Sequence, residues 1–343
     1  MKKNKGILVV LMAVLLFVWG CNTPENKEPK ENKEEKVNVE TSENGKLNVV
    51  TTLFPDYSFA KEIAPNANIT LLLPPGADSH SFEPSPKDIE TLKNADIVIY
   101  TGDYMEEWFK QLKSGVGLEE DKIVDASKGI ELIKNIDDDH DHDDHDEDDH
   151  DEDDHDDHDE HEHHHHHVYD PHIWTSPKLA KVMAKNILDG FVAVDEKNAD
   201  EYNKNYEKFE KSLDELDSEF EAVVKNSSHP KIYFASPFAL KYFARDYKLD
   251  VRSVYDTCSS GSEPSAKEMA IMIDEMNEKK AKVIYYAELT DPKLARQIAD
   301  ETGAEPMLFH SCHNLSKEEF EQGKTYLDIM KKNVEALKRG IDD

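Results

Sequence analysis

Short apolar runs rich in β-branched residues alternate along this chain with stretches whose apolar positions recur every three or four residues. Runs at 47–53, 69–73, 97–100 and 123–124 predict four strands in the first half, and runs at 232–235, 251–254, 283–286 and 307–309 predict four in the second. Several contain almost no polar residue, the pattern of strands covered on both faces in a parallel sheet. Helix starts fall between them. Ser85-Pro86 and Ser176-Pro177 each place an N-cap serine before a first-turn proline, and Ser265 with Glu268 forms a capping-box pattern ahead of Met269, Ile273 and Met276. Repeated strand–helix units in both halves predict two α/β lobes.

Between the halves, Tyr202, Tyr206, Phe209, Leu213, Leu216, Phe220 and Val223 recur at spacings of four and three, with Lys, Glu and Asp between them. Neither Gly nor Pro interrupts residues 198–224, so one helix of about 27 residues and roughly 40 Å is expected. No other segment carries a matching heptad pattern for a coiled coil. The seam therefore predicts a rigid spine packed against both lobes, which limits hinge motion between them.

The length of 343 residues suits two lobes of roughly 100–150 residues each. A net charge of −33 excludes nucleic acid as a partner, because phosphate is repelled. More than half of that charge comes from residues 137–167, which hold 19 Asp and Glu and no Lys or Arg. The same segment holds twelve of the 17 histidines: His140, His142, His145, His150, His155, His158, His161, His163, His164, His165, His166 and His167. It has nothing with which to bury a core, so a disordered insert is expected when metal is absent. Imidazole is a good ligand for Zn²⁺, Cu²⁺ and Ni²⁺, and the carboxylates concentrate cations around it. The insert reads as a low-affinity metal loop for capture or buffering.

Lys2, Lys3 and Lys5 precede an apolar run at 7–19 that is too short to span a bilayer, which reads as an export signal over 1–20. The run ends in Val18-Trp19-Gly20-Cys21, similar to a bacterial lipobox, so Cys21 is the expected lipidation site. Residues 21–46 then form a polar tether that holds the protein at the extracytoplasmic face of the cell membrane. Beyond it the expected divisions are a first lobe at 47–197 with its insert, a linking helix at 198–225 and a second lobe at 226–343. Lipidation of Cys21 leaves an even pair in an oxidising compartment, and a Cys258–Cys312 disulfide is expected.

Outside the insert only His80, His172, His229, His310 and His313 remain. His80 lies in a Pro-Gly-Ala-Asp-Ser-His-Ser-Phe-Glu-Pro stretch between a strand and a helix start, His172 lies in Asp170-Pro171-His172-Ile173-Trp174, and His310 directly follows the last strand. Loops at strand ends are where open α/β sheets bind ligands, and three imidazoles from separate loops are a common zinc arrangement. His229, beside Pro230, reads as a solvated loop residue, and Trp108 and Trp174 read as packing. Glu83 and Asp170 are candidates either for orienting the imidazoles or for simple cap and turn roles.

At these residues the sequence resembles the zinc- and manganese-binding lipoproteins of ABC importers (cluster A-I, solute-binding protein family 9). The resemblance rests on the two histidine stretches, the acidic His-rich insert between them, the spine helix and the closing Tyr326-Leu327-Asp328-Ile329-Met330-Lys331-Lys332-Asn333. It implies two lobes, each with a parallel four-stranded sheet flanked by helices, joined by one long rigid helix, with metal in the cleft between them. It also implies delivery to a membrane permease, attachment to the lipid bilayer through Cys21, and a monomer. The family's first two ligands fall on His80 and His172. Its third, a His or Glu, falls in Ser236-Pro237-Phe238-Ala239, where Pro237 has no donor. Its fourth, usually an Asp, falls on His310. The implied set is His80, His172 and His310, with Glu288 and His313 as candidates for a further ligand. Nitrogen donors favour Zn²⁺ over Mn²⁺ as the transported ion. An enzyme is not expected: the one His-Glu-x-x-His match, at 161–165, is part of the histidine-rich insert rather than a helical motif, the chain has no nucleophile elbow or P-loop, and only Glu288 stands as a candidate base. The competing reading is a surface metal buffer or adhesin that uses the insert alone.

Overall fold

The computed structural model describes residues 46–115, 117–135, 168–227, 230–255 and 264–341. The export signal, Cys21, nearly all of the tether, the twelve insert histidines, His229 and Cys258 lie outside the described residues.

The first sheet contains β1 (Asn48–Thr51), β2 (Asn68–Leu71), β3 (Ile97–Tyr100) and β4 (Ile123–Asp125), all parallel in the order β2-β1-β3-β4. Helices α1 (Phe54–Ile63), α2 (Pro86–Lys93) and α3 (Glu107–Gly115) make the crossovers, and α4 (Pro177–Val194) and α5 (Ala199–Lys225) follow. The second sheet repeats the plan with β5 (Lys231–Phe234), β6 (Asp250–Ser253), β7 (Val283–Tyr286) and β8 (Glu305–Leu308) in the order β6-β5-β7-β8. Its helices are α6 (Lys241–Tyr247), α7 (Ala266–Lys279) and α8 (Lys293–Thr302), then α9 (Lys317–Glu321) and α10 (Tyr326–Ile341). All eight expected strands form. The all-apolar run of β3 is buried throughout because it sits inside its sheet, whereas the edge strand β2 alternates exposed and half-buried positions.

The expected N-caps form at Ser85, which accepts from the Asp88 N–H in a full capping box, and at Ser176, which accepts from the Leu179 N–H. The box expected at Ser265 closes only halfway. Ser265 Oγ accepts from the Glu268 N–H at 3.1 Å, but the Glu268 carboxylate accepts from Arg252 of β6 at 2.6 Å, a charged partner outcompeting a backbone amide.

The spine forms as α5, with Tyr202, Tyr206, Phe209, Leu213, Leu216 and Phe220 buried. It packs on α1 and α4 from the first half and on α6 and α10 from the second. Phe209 meets Phe59 of α1 at 5.4 Å between ring centroids, and Phe220 meets Phe243 of α6 edge-on at 4.8 Å. α10 then crosses back: the Tyr326 N–H donates to Ser58 Oγ at 2.9 Å, and its hydroxyl donates to the Trp174 carbonyl at 2.7 Å. One continuous apolar core therefore runs through both sheets.

Beneath the strand ends of the first sheet, Asp56 and Glu106 are both buried. Glu106 accepts from the Thr52 hydroxyl and from the N–H groups of Thr101 and Gly102, while Asp56 accepts from Thr101 Oγ1 at 2.7 Å. Burial lifts the Glu106 carboxyl to about 7, and burial together with the Glu106 charge lifts Asp56 well above the carboxylate range. A carboxyl raised on folding stabilises the protein on the acid side, and that stability is lost as pH rises through the folded value. For Glu106 the loss is about 1.4 kcal/mol per pH unit between about 4.5 and 7. Urea unfolding of the wild type and Glu106→Gln at pH 5 and pH 7.5 is expected to show the difference moving in favour of the Gln variant at the higher pH. Parallel pH profiles would show that Glu106 does not hold the proton.

Candidate metal centre

Three loops at the C-terminal ends of strands carry the candidate donors. His80 lies in the loop after β2, where its N–H donates to Asp78 Oδ1 at 2.9 Å. The second half holds this loop in place. The Gly76 N–H donates to the Leu315 carbonyl at 2.7 Å, and Asn314 Nδ2 donates to the carbonyls of Pro74 and Ala77 at 2.7 and 2.9 Å. Gly76, at φ +85°, supplies the left-handed residue that the turn requires.

His172 is fully buried just before the 3₁₀ turn Ile173–Thr175 that leads into α4. Its backbone N–H and its Nδ1–H both donate to Asp170 Oδ1 at 2.9 Å. Burial alone would raise the Asp170 carboxyl, but the electrostatic pull of the His172 ring and the hydrogen bonds from its Nδ1–H and backbone N–H outweigh it and hold the group below its ordinary range. Tyr242 of α6 fixes Asp170 from behind, with its hydroxyl donating to the Asp170 carbonyl at 2.6 Å and accepting from the Ile133 N–H at 2.9 Å.

His313 lies in the loop after β8. Ser311 Oγ donates to Glu288 Oε1 at 2.6 Å and so accepts from His313 Nδ1–H at 2.8 Å. His313 Nε2 is shut off from solvent and has no hydrogen-bond partner. Burial, then the neighbouring His172, His80 and His310, hold this imidazole well below its ordinary value, so it stays neutral. Trp174 walls the cluster, with its ring 5.0 Å from that of His313 and its Nε1–H donating to the Ser311 carbonyl at 2.8 Å.

With their Nδ1 protons committed to Asp170 and Ser311, His172 and His313 both present an Nε2 lone pair. One ligand atom from each of His80, His172 and His313 lies within 4.8 Å of the others, and His172 Nε2 stands 3.4 Å from His80 Nε2. Two nitrogens bound to a tetrahedral zinc at about 2.0–2.1 Å are separated by roughly 3.3–3.4 Å. The donor set and its spacing fit zinc.

His310 does not join this group, whereas His313, expected as a candidate for a further ligand, does. The backbone of His310 is clamped to Asn333 of α10 through its N–H and its carbonyl. Its Nδ1 accepts from the Cys312 N–H at 2.9 Å, so the neutral ring carries its proton on Nε2, which faces Glu319 at 4.0 Å. That tautomer has no lone pair left for a metal. Cys312, at φ +61°, reverses the chain between the two histidines. Glu288 is also withdrawn from direct ligation: Oε1 accepts from Ser311 Oγ and the His313 N–H, and Oε2 from the Ser311 N–H. Glu83 is exposed. The disulfide expected at Cys312 is not formed: its thiol is free and buried, and burial pushes its pKa well up, while Cys258 lies outside the described residues.

A signal for His313 was present in the sequence. Each of the three convergent histidines has a short polar acceptor two residues earlier, namely Asp78, Asp170 and Ser311, whereas the residue two before His310 is Leu308.

The chain is similar to the high-affinity zinc uptake system protein ZnuA of Bacillus subtilis, at 34% identity over 99% of this chain and 98% of that protein. It is 30% identical to the zinc-binding protein AdcA of Streptococcus pyogenes over 99% of this chain, spanning 62% of that longer protein. Among solved structures, the Zn(II)-bound ZnuA-like domain of Streptococcus pneumoniae AdcA superposes with a TM-score of 0.69 at 26% identity, covering 87% of this chain and all of that domain. With the family model of the periplasmic zinc-uptake complex component A matching residues 49–340, the chain belongs to the ZnuA family.

Proposed function

We propose that this protein is an extracytoplasmic receptor that binds one Zn²⁺ through the Nε2 atoms of His80, His172 and His313 and hands it to the permease of an ABC importer. The observation that carries this reading is the convergence of three imidazoles, with His80 Nε2 and His172 Nε2 3.4 Å apart and the Nδ1–H groups of His172 and His313 held by Asp170 and Ser311. An all-nitrogen set suits zinc better than manganese. The protein acts as a monomer anchored to the membrane by lipid on Cys21.

The His-rich insert serves as a low-affinity antenna. Its base is closed by the Asn135 N–H donating to the Val168 carbonyl at 2.9 Å and by the Lys134–Tyr169 bridge. That base lies four residues from His172, so ions held by the insert are concentrated beside the centre. A buffer acting through the insert alone has no use for the second, ordered set of histidines.

Because the base is already closed, residues 137–167 can be removed without a gap to bridge. Calorimetry on that shortened chain is expected to find one tight zinc site. His172→Ala and His313→Ala each lower its affinity by more than the roughly 10–100-fold that loss of an outer partner costs, and Asp170→Asn and Ser311→Ala fall within that range. His310→Ala leaves affinity nearly unchanged. A shortened chain that barely binds would hand the function to the insert and to the buffer reading. Affinity is also expected to fall as pH drops below about 6.5, where protons compete for imidazole. A flat affinity from pH 7.5 to 5.5 would rule out histidine ligation.

A further inference from the structure

Three imidazoles leave a tetrahedral zinc one donor short, and among the described residues no fourth His, Cys, Asp or Glu joins the group. Each nearby carboxylate already accepts hydrogen bonds from the loops that carry the histidines. Both oxygens of Glu288 hold the 311–313 loop, Asp170 Oδ1 holds His172, and Asp78 Oδ1 holds the His80 N–H. Beside the trio lies a solvent-open cavity of about 270 Å³, lined by His80, His313, Pro237, Ala239 and Leu289 among others. Pro237, whose ring offers no donor atom, forms part of its wall. Ser79, 7% exposed, lines the same cavity, and its Oγ is buried without a hydrogen-bond partner.

We infer that this cavity is a binding site for a small exogenous imidazole-class donor, which completes the coordination of the metal in place of the absent protein ligand. The inference rests on the zinc reading above. Neutral nitrogen is favoured over an anion by charge: Asp170 and Glu288 already oppose the two positive charges of the ion, and Asp78 lies at the cavity wall. A ring entering past Pro237 and Leu289 meets apolar walls, places one nitrogen on the metal, and offers its other N–H to Ser79 Oγ. Without such a donor, water fills the position and makes the same hydrogen bond. No bond other than the metal–donor contact changes: imidazole enters and water leaves.

Cobalt(II) titrated into the full chain, with the spectrum of the His172→Ala variant subtracted to remove the insert's contribution, reports the coordination sphere through its ligand-field bands. Addition of imidazole is expected to shift those bands saturably, while acetate at equal concentration leaves them unchanged. Ser79→Ala weakens the imidazole response by a larger factor than it weakens cobalt binding. Pro237→His, which supplies a donor from the chain, abolishes the imidazole response and raises metal affinity by about tenfold or more. Cobalt bands that depend on His172 but do not respond to imidazole would overturn this inference and leave the three-histidine centre standing. A response to acetate instead would overturn the ligand class. Absence of any His172-dependent band would remove the zinc reading itself.

Discussion

The apolar seam of α5 is the constraint on which the rest depends. A tetrahedral metal site tolerates donor displacements of only a few tenths of an ångström, and its three donors come from loops up to 233 residues apart in the chain. Two α/β lobes joined by a flexible linker could not hold that tolerance. Here α5 buries Phe209 among the helices of the first half and Phe220 among those of the second, and α10 returns to bond with α1 and the 174 carbonyl. The two sheets share one core, and the loops at their strand ends meet in fixed register.

Within that frame, proton placement separates the candidate donors. Four histidines stand close together, and their chemistry is identical in isolation. Asp170 and the Glu288–Ser311 pair take the Nδ1 protons of His172 and His313 and leave their Nε2 lone pairs facing inward. The Cys312 N–H does the reverse to His310 by filling its Nδ1 lone pair. Glu288, an expected candidate for direct ligation, acts one bond further out. Its three hydrogen bonds order the loop that carries His313. The site is thus built from outer partners as much as from donors.

Much of this was legible in the sequence because the relevant physics is local. β-branched apolar runs determined eight strands, serine–proline pairs marked helix starts, and an unbroken seam with spacings of four and three determined the spine. His80 and His172 were legible for the same reason: each sits in a short stretch whose turn residues and acceptor lie within two or three positions.

The polar residue two positions before His313 sets it apart from His310 in the sequence, but only the tertiary structure shows which of the two turns a lone pair toward the cluster. Three positions apart on one loop, they differ in nothing that periodicity or composition registers. The choice follows from a left-handed residue at Cys312, a clamp from Asn333 on α10, and a carboxylate from the β7–α8 loop, all of which reach the 310–313 segment only after the second sheet has assembled. The half-closed cap at Ser265 has the same origin, since Arg252 becomes available to Glu268 only once β6 is in place. Local sequence determines which groups can ligate or cap. Long-range packing decides which of them have a lone pair free and pointed at the right place.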